Sequence, residues 1–404
     1  MRIALAPPPE ADRYTAWGAE VAARRLIDNF RAYGSDIEFE TLTTSVEAAE
    51  ISGRATEQSI QVTARSAATG AAYSRWDILH DVLLRDPRRY GYVRTHSQTC
   101  FPIVVTHHAL CHPMVLEHFF VPLLLARSQP YDAVVCTSRA ARQAFMNLLE
   151  ICAEGVAPLC GGRPPNFEGQ LPVISLGVDT DLFRPRAKDD LRHQLRLPGE
   201  ACVMLWVGRL SPSSKADLLP LLRAYGLLRQ RNPDANTLLV LVGTDAEGYG
   251  GVLEQYAALL GLGSSVKIER TTPQTQIHLW YSASDIFVSP IDNAQETFGI
   301  APVEAMASGL PQVVSDWDGY RDTVVHGETG FRFRTFWAAC DEDAVASWAA
   351  WGMGMVRCTW LPERWRAIWV RLSHIWSGYS DLLRFVIRWG PRRAPERWPT
   401  SRGP

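Results

Sequence analysis

The chain has 404 residues, more than one hydrophobic core usually supports, so two domains are expected. Hydrophobic residues make up 47% and charged residues 21%, and the net charge of −2 gives no global argument for nucleic acid or an anionic membrane. The eight cysteines contain no C-x-x-C pair, which argues against a zinc knuckle or redox motif and for incidental thiols in a reducing cytosol.

The opening MRIALAPPPEADRY lacks the long apolar core of a signal peptide, and no stretch approaches a transmembrane span. Short apolar runs then alternate with helical patterns, the signature of parallel α/β layering. Arg2 to Ala6 reads as a buried strand, and a loop with Pro7, Pro8 and Pro9 follows it. A helix is predicted from about Gly18 to Tyr33, with Val21, Leu26, Ile27 and Phe30 on one face. Ile37 to Leu42 reads as the second strand. The Ala-, Ser- and Thr-rich stretch from Thr43 to Ala72 carries no readable pattern. Strands resume at Trp76 to His80, Pro102 to Thr106 and Ala133 to Thr137, and Ser138 is placed as a helix N-cap.

Glu154 to Gln170 is rich in Gly and Pro and reads as a loop, which puts a domain boundary near Leu171. A second alternating set follows, with strands at Val203 to Val207, Thr237 to Val242, Val266 to Glu269, Ile286 to Ser289 and Gln312 to Ser315. The fold class is therefore α/β. It is read as an N-terminal Rossmann-like domain over 1–170 and a second over 171–336, with ligands expected at the carboxyl ends of the strands.

The richest segment is ETFGIAPVEAMASGLPQVVSD, Glu296 to Asp316. Glu304 falls in a helix predicted to end at Gly309, and Glu296 lies in the loop that enters it. Between them Thr297, Phe298, Gly299 and Ile300 would present backbone N–H groups near a helix N-terminus, which suits a phosphate. One carboxylate can then hold a sugar hydroxyl and the other a ribose diol. Taken alone, the two glutamates read rather as acids favoured at a helix start by its dipole. The adjoining GLP and the downstream GYRDTVVHGETGF tip the reading toward a ligand site.

The second segment is VGRLSPSSKADLLPLLRAY, Val207 to Tyr225. A buried strand ends, Gly208 and Arg209 open a loop, and Lys215 stands before the next helix. Two cations at such a turn can clamp a diphosphate and stabilise charge on a departing nucleotide. Taken alone, they also read as solvated surface cations.

Together these segments resemble the retaining, nucleotide-sugar-dependent glycosyltransferases of the GT-B fold, the bacterial "group 1" family. The likeness is strongest from Leu171 to Phe333, where it includes ISLGVDTDLFRP and LVGTDAEG. It implies two Rossmann-like domains facing across a cleft. Arg209 and Lys215 would bind the donor pyrophosphate, Glu296 the donor sugar and Glu304 the nucleotide ribose. Gly208, Gly243, Phe298, Gly299 and Ile300 would shape the donor site. In VVTHHAL, His108 rather than His107 would reach the donor sugar. Gly18, in TAWGAE, would stand in the loop after the first strand, where Trp17-Gly18 replaces the family's Gly-Gly.

The resemblance implies a hexosyltransferase working with retention of configuration, without a protein nucleophile and without a metal or other cofactor. Its partners would be a nucleotide-sugar donor and a glycan or lipid-linked acceptor, in cell-envelope or exopolysaccharide synthesis, and not nucleic acid. The expected location is the cytoplasm, with peripheral contact at the inner face of the membrane. A non-catalytic nucleotide-sugar-binding protein and a sugar-nucleotide epimerase or phosphorylase are the competing readings.

From about Trp337 the composition changes: nine of the fourteen Trp lie from that residue on, among dense Arg. Trp and Arg suit a membrane interface. They also arise when GC-rich codons are read out of frame. Permitted codons for residues 351–390, read in a shifted frame, encode a helical, amphipathic string of the family's type. Residues 337–404 are therefore expected to be a frameshifted tail.

Overall fold

The computed structural model describes residues 1–6, 18–43, 63–66, 76–83, 87–95, 97, 99–108, 110, 115–126, 128–212, 215–293 and 296–335. These fall into two compact units. The first spans Met1–Leu176 and takes in residues 296–298; the second spans Gly177–Asn293 and the described residues from Gly299 on.

The first unit is built on β1 (Arg2–Ala6), β2 (Glu38–Thr43), β3 (Thr63–Ser66), β4 (Ile78–Asp81), β5 (Ile103–Thr106) and β6 (Ala133–Val135). Its helices are α1 (Gly18–Tyr33), α2 (Arg88–Thr95), α3 (Val121–Leu125) and α4 (Arg139–Val156). The second unit contains β7 (Cys202–Val207), β8 (Thr237–Val242), β9 (Val266–Glu269), β10 (Ile286–Ser289), β11 (Gln312–Ser315) and β12 (Gly330–Phe333). Its helices are α5 (Lys188–Leu195), α6 (Leu219–Arg231), α7 (Tyr249–Leu259), α8 (Ile277–Ala283), α9 (Ile300–Ala307) and α10 (Tyr320–Thr323).

Each unit holds a six-stranded sheet, ordered β3-β2-β1-β4-β5-β6 in the first and β12-β11-β10-β7-β8-β9 in the second. Every recorded strand pair is parallel. Renumbered from its own first strand, the second sheet has the same order as the first, the doubly wound Rossmann arrangement. In each sheet the winding reverses direction between the first and fourth strands, β1 and β4 or β7 and β10. That reversal leaves a crevice at their carboxyl ends.

Burial explains why the strands form where they do. All six residues of β8, TLLVLV, are buried, as expected for a parallel strand covered on both faces. In β1, Ala4 packs into one apolar cluster and Ile3 and Leu5 into another, the alternation a strand imposes. In the second unit one continuous core surrounds the sheet and includes Trp206, Tyr281 and Tyr320.

Two strands were not expected from the sequence. β3 lies inside the stretch that carried no pattern, and β12 is a half-buried edge strand. The predicted loop from Glu154 begins later. α4 continues to Val156 and a 3-10 turn covers Ala157–Cys160, because Pro158 sits in that turn's first positions, where no donor is needed. Gln170 and Val173 then form parallel bridges to Ala133 and Cys136 on β6. No helix among the described residues is long and apolar enough to cross a membrane. Residues 337–404 lie outside the described residues.

Candidate active site

The sequence-predicted residues gather at the carboxyl ends of strands, in two groups. In the second unit, β7 runs directly into Gly208 and Arg209, and β8 into Gly243. The two turns are pressed together: Gly208 N–H donates to the Val242 carbonyl at 3.0 Å, and Leu210 N–H to the Thr244 carbonyl at 2.8 Å. A Cβ on Gly208 would meet Lys215 Cε at 3.1 Å, so the lysine stem lies along the glycine turn. Backbone bonds from Lys215 and Ala216 to the Ser211 carbonyl close the loop that carries it. The Ser211 hydroxyl donates to Glu247 at 2.6 Å, linking the loop after β7 to the one after β8.

On the other side of the reversal, β10 leads into α9. Gly299 has φ 82°, and a Cβ there would fall 2.1 Å from the Tyr320 ring, so both backbone and space demand glycine. Tyr320 is itself fixed by a 2.9 Å hydroxyl contact with Ser289 at the end of β10. Ile300 is the first residue of α9. Glu304 is buried in α9, and its Oε2 accepts from the Tyr281 hydroxyl at 2.9 Å. The helix stops where predicted: Gly309 N–H bonds the Met306 carbonyl and Leu310 N–H that of Ala305, a Schellman closure.

Sequence reasoning missed two carboxylates here. Asp292, three residues beyond β10, is driven up to about 6, first by burial and then by the negative charge of Asp217, against a bond from its own backbone. Asp217, in the loop after β7, accepts from Tyr249 at 2.7 Å and from Leu219 N–H at 3.0 Å. This repulsion between two carboxylates marks where the loops after β7 and β10 lie close. No local pattern marks it.

In the first unit, Gly18 is the first residue of α1 rather than part of a loop, and residues 7–17 lie outside the described residues. His108 follows β5. Its Nε2 lies 3.0 Å from the Val82 carbonyl, an acceptor, so Nε2 carries the proton and Nδ1 is left with a lone pair. That Nδ1 is buried without a hydrogen-bond partner among the described residues. His107 points elsewhere, stacked on Phe145, with both ring nitrogens buried and unpartnered among the described residues. A third histidine, His80 on β4, lies 2.9 Å from the Thr106 hydroxyl and was not foreseen. Burial lowers all three, to about 4 for His80 and His108 and about 3 for His107.

Glu296 and Phe298 lie in the segment that packs with the first unit. Between them Thr297 donates its hydroxyl to the His108 carbonyl at 2.8 Å, and its own carbonyl accepts from Ser138 at 2.6 Å. Ser138 caps α4 as predicted, through Ala141 N–H, and has this second role besides. Of the described cysteines, Cys136 is pushed by burial up to about 12 and Cys202 to about 11, which keeps both as thiols.

The paired six-stranded parallel sheets define the GT-B fold. Sucrose-phosphate synthase from Thermosynechococcus elongatus superimposes with a TM-score of 0.55 at 21% identity, covering 95% of this chain and 99% of that one. The Anabaena protein Alr3699/HepE, in a structure with UDP, superimposes with a TM-score of 0.57 at 21% identity, covering 86% and 88%. Residues 187–343 match the family described as "Glycosyl transferases group 1". A curated relative, the D-inositol 3-phosphate glycosyltransferase of Streptosporangium roseum, is 30% identical over 257 residues, 58% of this chain and 54% of the relative. The chain thus spans about half the length of the curated relatives it matches.

Proposed function

We propose that the chain is a hexosyltransferase that moves a sugar from a nucleoside-diphosphate donor to an acceptor hydroxyl with retention of configuration. The observation that carries this reading is the crevice of the second sheet. There Lys215 lies against the abutting Gly208 and Gly243 turns, and the Tyr281-bound carboxyl of Glu304 lies across the reversal. Arg209 and Lys215 take the diphosphate, Glu304 the ribose diol, and the Phe298, Gly299 and Ile300 amides the phosphate end of the donor. Glu296 and His108 take hydroxyls of the donor sugar, and Gly18 adjoins the acceptor side.

In the reaction the bond from the anomeric carbon to the donor phosphate breaks and a bond to the acceptor oxygen forms on the same face. The acceptor proton passes to the departing phosphate. The two cations stabilise the charge that develops there. No side chain serves as nucleophile. A glycan or lipid-linked acceptor in the cell envelope fits the family. The names of the curated relatives favour a second acceptor class, a phosphorylated cyclic polyol.

The test offers UDP-, GDP- and ADP-sugars to the full chain, alone and with lipid-linked glycan or inositol phosphate. Lys215→Ala and Glu296→Ala stand beside the wild type. Transfer or slow hydrolysis of one donor, lost in both variants, supports the reading. Binding without turnover moves it to a nucleotide-sugar-binding protein, and an isomerised donor moves it to an epimerase.

A further inference from the structure

Two of the residues proposed to meet the donor sugar, Glu296 and His108, are separated by nearly half the chain, yet both belong to the first unit. Thr297 is what joins them. It is buried, with 4% of its surface exposed, at the carboxyl edge of the first sheet. Its hydroxyl donates to the His108 carbonyl at 2.8 Å and lies 3.4 Å from the hydroxyl of Thr137. Its carbonyl accepts from the Ser138 hydroxyl at 2.6 Å, and Ser138 is held in turn by Ala141 N–H at the start of α4. Thr297 therefore touches residues that follow β5 and β6, and it lies one residue from Glu296.

The His108 ring is fixed separately. The carbonyl of Val82, which follows β4, accepts from Nε2–H, and the buried Nδ1 has no hydrogen-bond partner among the described residues. A buried acceptor with no donor is costly unless a ligand hydroxyl supplies one. The ring stays neutral, since burial holds it at about 4.

We infer that Thr297 is a positioning residue: it locks the Glu296 segment to the His108 backbone, so that both groups meet the donor sugar in one rigid frame. This rests on the proposed roles of Glu296 and His108. Thr297 acts through its neighbours and not by contact of its side chain with the substrate. A misplacement of about 1 Å at a reacting centre costs on the order of 100-fold in rate. Loss of the hydroxyl should therefore lower turnover while leaving nucleotide affinity, to which Arg209, Lys215 and Glu304 of the second unit contribute most, nearly unchanged.

The experiment compares Thr297→Val, Thr297→Ala and Thr297→Ser in the full chain by two readouts. The first, independent of activity, is hydrogen–deuterium exchange of peptides covering residues 296–300, with α4 as internal control. Faster exchange in the Val and Ala variants, restored in Ser, with α4 unchanged, is expected; wild-type exchange in Val and Ala would overturn the inference. The second is turnover of UDP-glucose, GDP-mannose and ADP-glucose, with binding of UDP, GDP and ADP. A fall of about 10- to 100-fold in kcat for Val and Ala, with Ser near wild type and nucleotide affinity within about 2-fold, is expected. An equal fall in Ser would assign the effect to the methyl group's packing and overturn it. If the wild type turns over none of these donors, the functional reading fails, and the exchange experiment alone decides the tie.

Discussion

A Cβ on Gly243 would lie 1.6 Å from the carbonyl oxygen of Gly208. The turns after β7 and β8 are thus in backbone contact, and neither strand can shift without moving the other. Gly243→Ala is expected to destabilise the second unit by about 1–3 kcal/mol and to abolish nucleotide binding. Gly251→Ala on α7, where a Cβ meets nothing within 4 Å, should instead stabilise by about 0.5 kcal/mol. Thermal denaturation with nucleotide titration separates them, and equal effects would refute the close-contact account.

Tyr281→Phe removes the donor to Glu304 without changing the ring that packs against Phe183 and Phe287. Stability should fall by about 1–2 kcal/mol, and affinity for a nucleoside diphosphate should fall with it. Affinity for inorganic diphosphate should not change, because the proposed contact of Glu304 is to the ribose. Calorimetric titration with both ligands tests this.

The buried histidines predict acid sensitivity. Desolvation lowers His107 from 6.5 to about 3, with a further push from His108. A base whose folded pKa is depressed contributes stability above its unfolded value, and that contribution drains away as pH falls from about 6.5 toward the folded value. At pH 5 the loss for one such ring is about 2 kcal/mol. His107→Leu should therefore gain on wild type between pH 7.5 and pH 5, as read from urea denaturation. A gap that does not change with pH would contradict the assignment.

Asp292 slopes the other way. Its folded pKa of about 6 lies above the ordinary 3.8, so the proton it holds stabilises the fold below pH 4. That contribution is lost as pH rises through 6. Asp292→Asn should match wild type near pH 4 and exceed it at pH 8 by on the order of 1–3 kcal/mol. Denaturation at pH 4.5, 6 and 8 would show it; parallel curves would sink it.

The inner strands of the second unit were readable from sequence because a parallel strand covered on both faces must be continuously apolar. Thr237–Val242, Ile286–Ser289 and Gln312–Ser315 stand in the structure with the bounds expected of them, as does the half-buried edge strand Val266–Glu269. The edge strands β3 and β12 were missed, since an edge can be short and half-polar. Gly208, Arg209, Lys215, Glu296 and Glu304 were nameable because each set lies within one short segment whose spacing survives in the linear chain.

Only the tertiary structure decided which groups share an environment. Tyr281 and Glu304 are 23 residues apart, and Thr297 and His108 189 residues apart. The Asp292–Asp217 and Gly299–Tyr320 pairs likewise arise where the sheet order brings separate strand ends together. Local sequence encodes propensity and periodicity. A hydrogen bond, a steric veto or a shifted pKa between distant residues depends on strand order, which comes into being only when the two sheets wind.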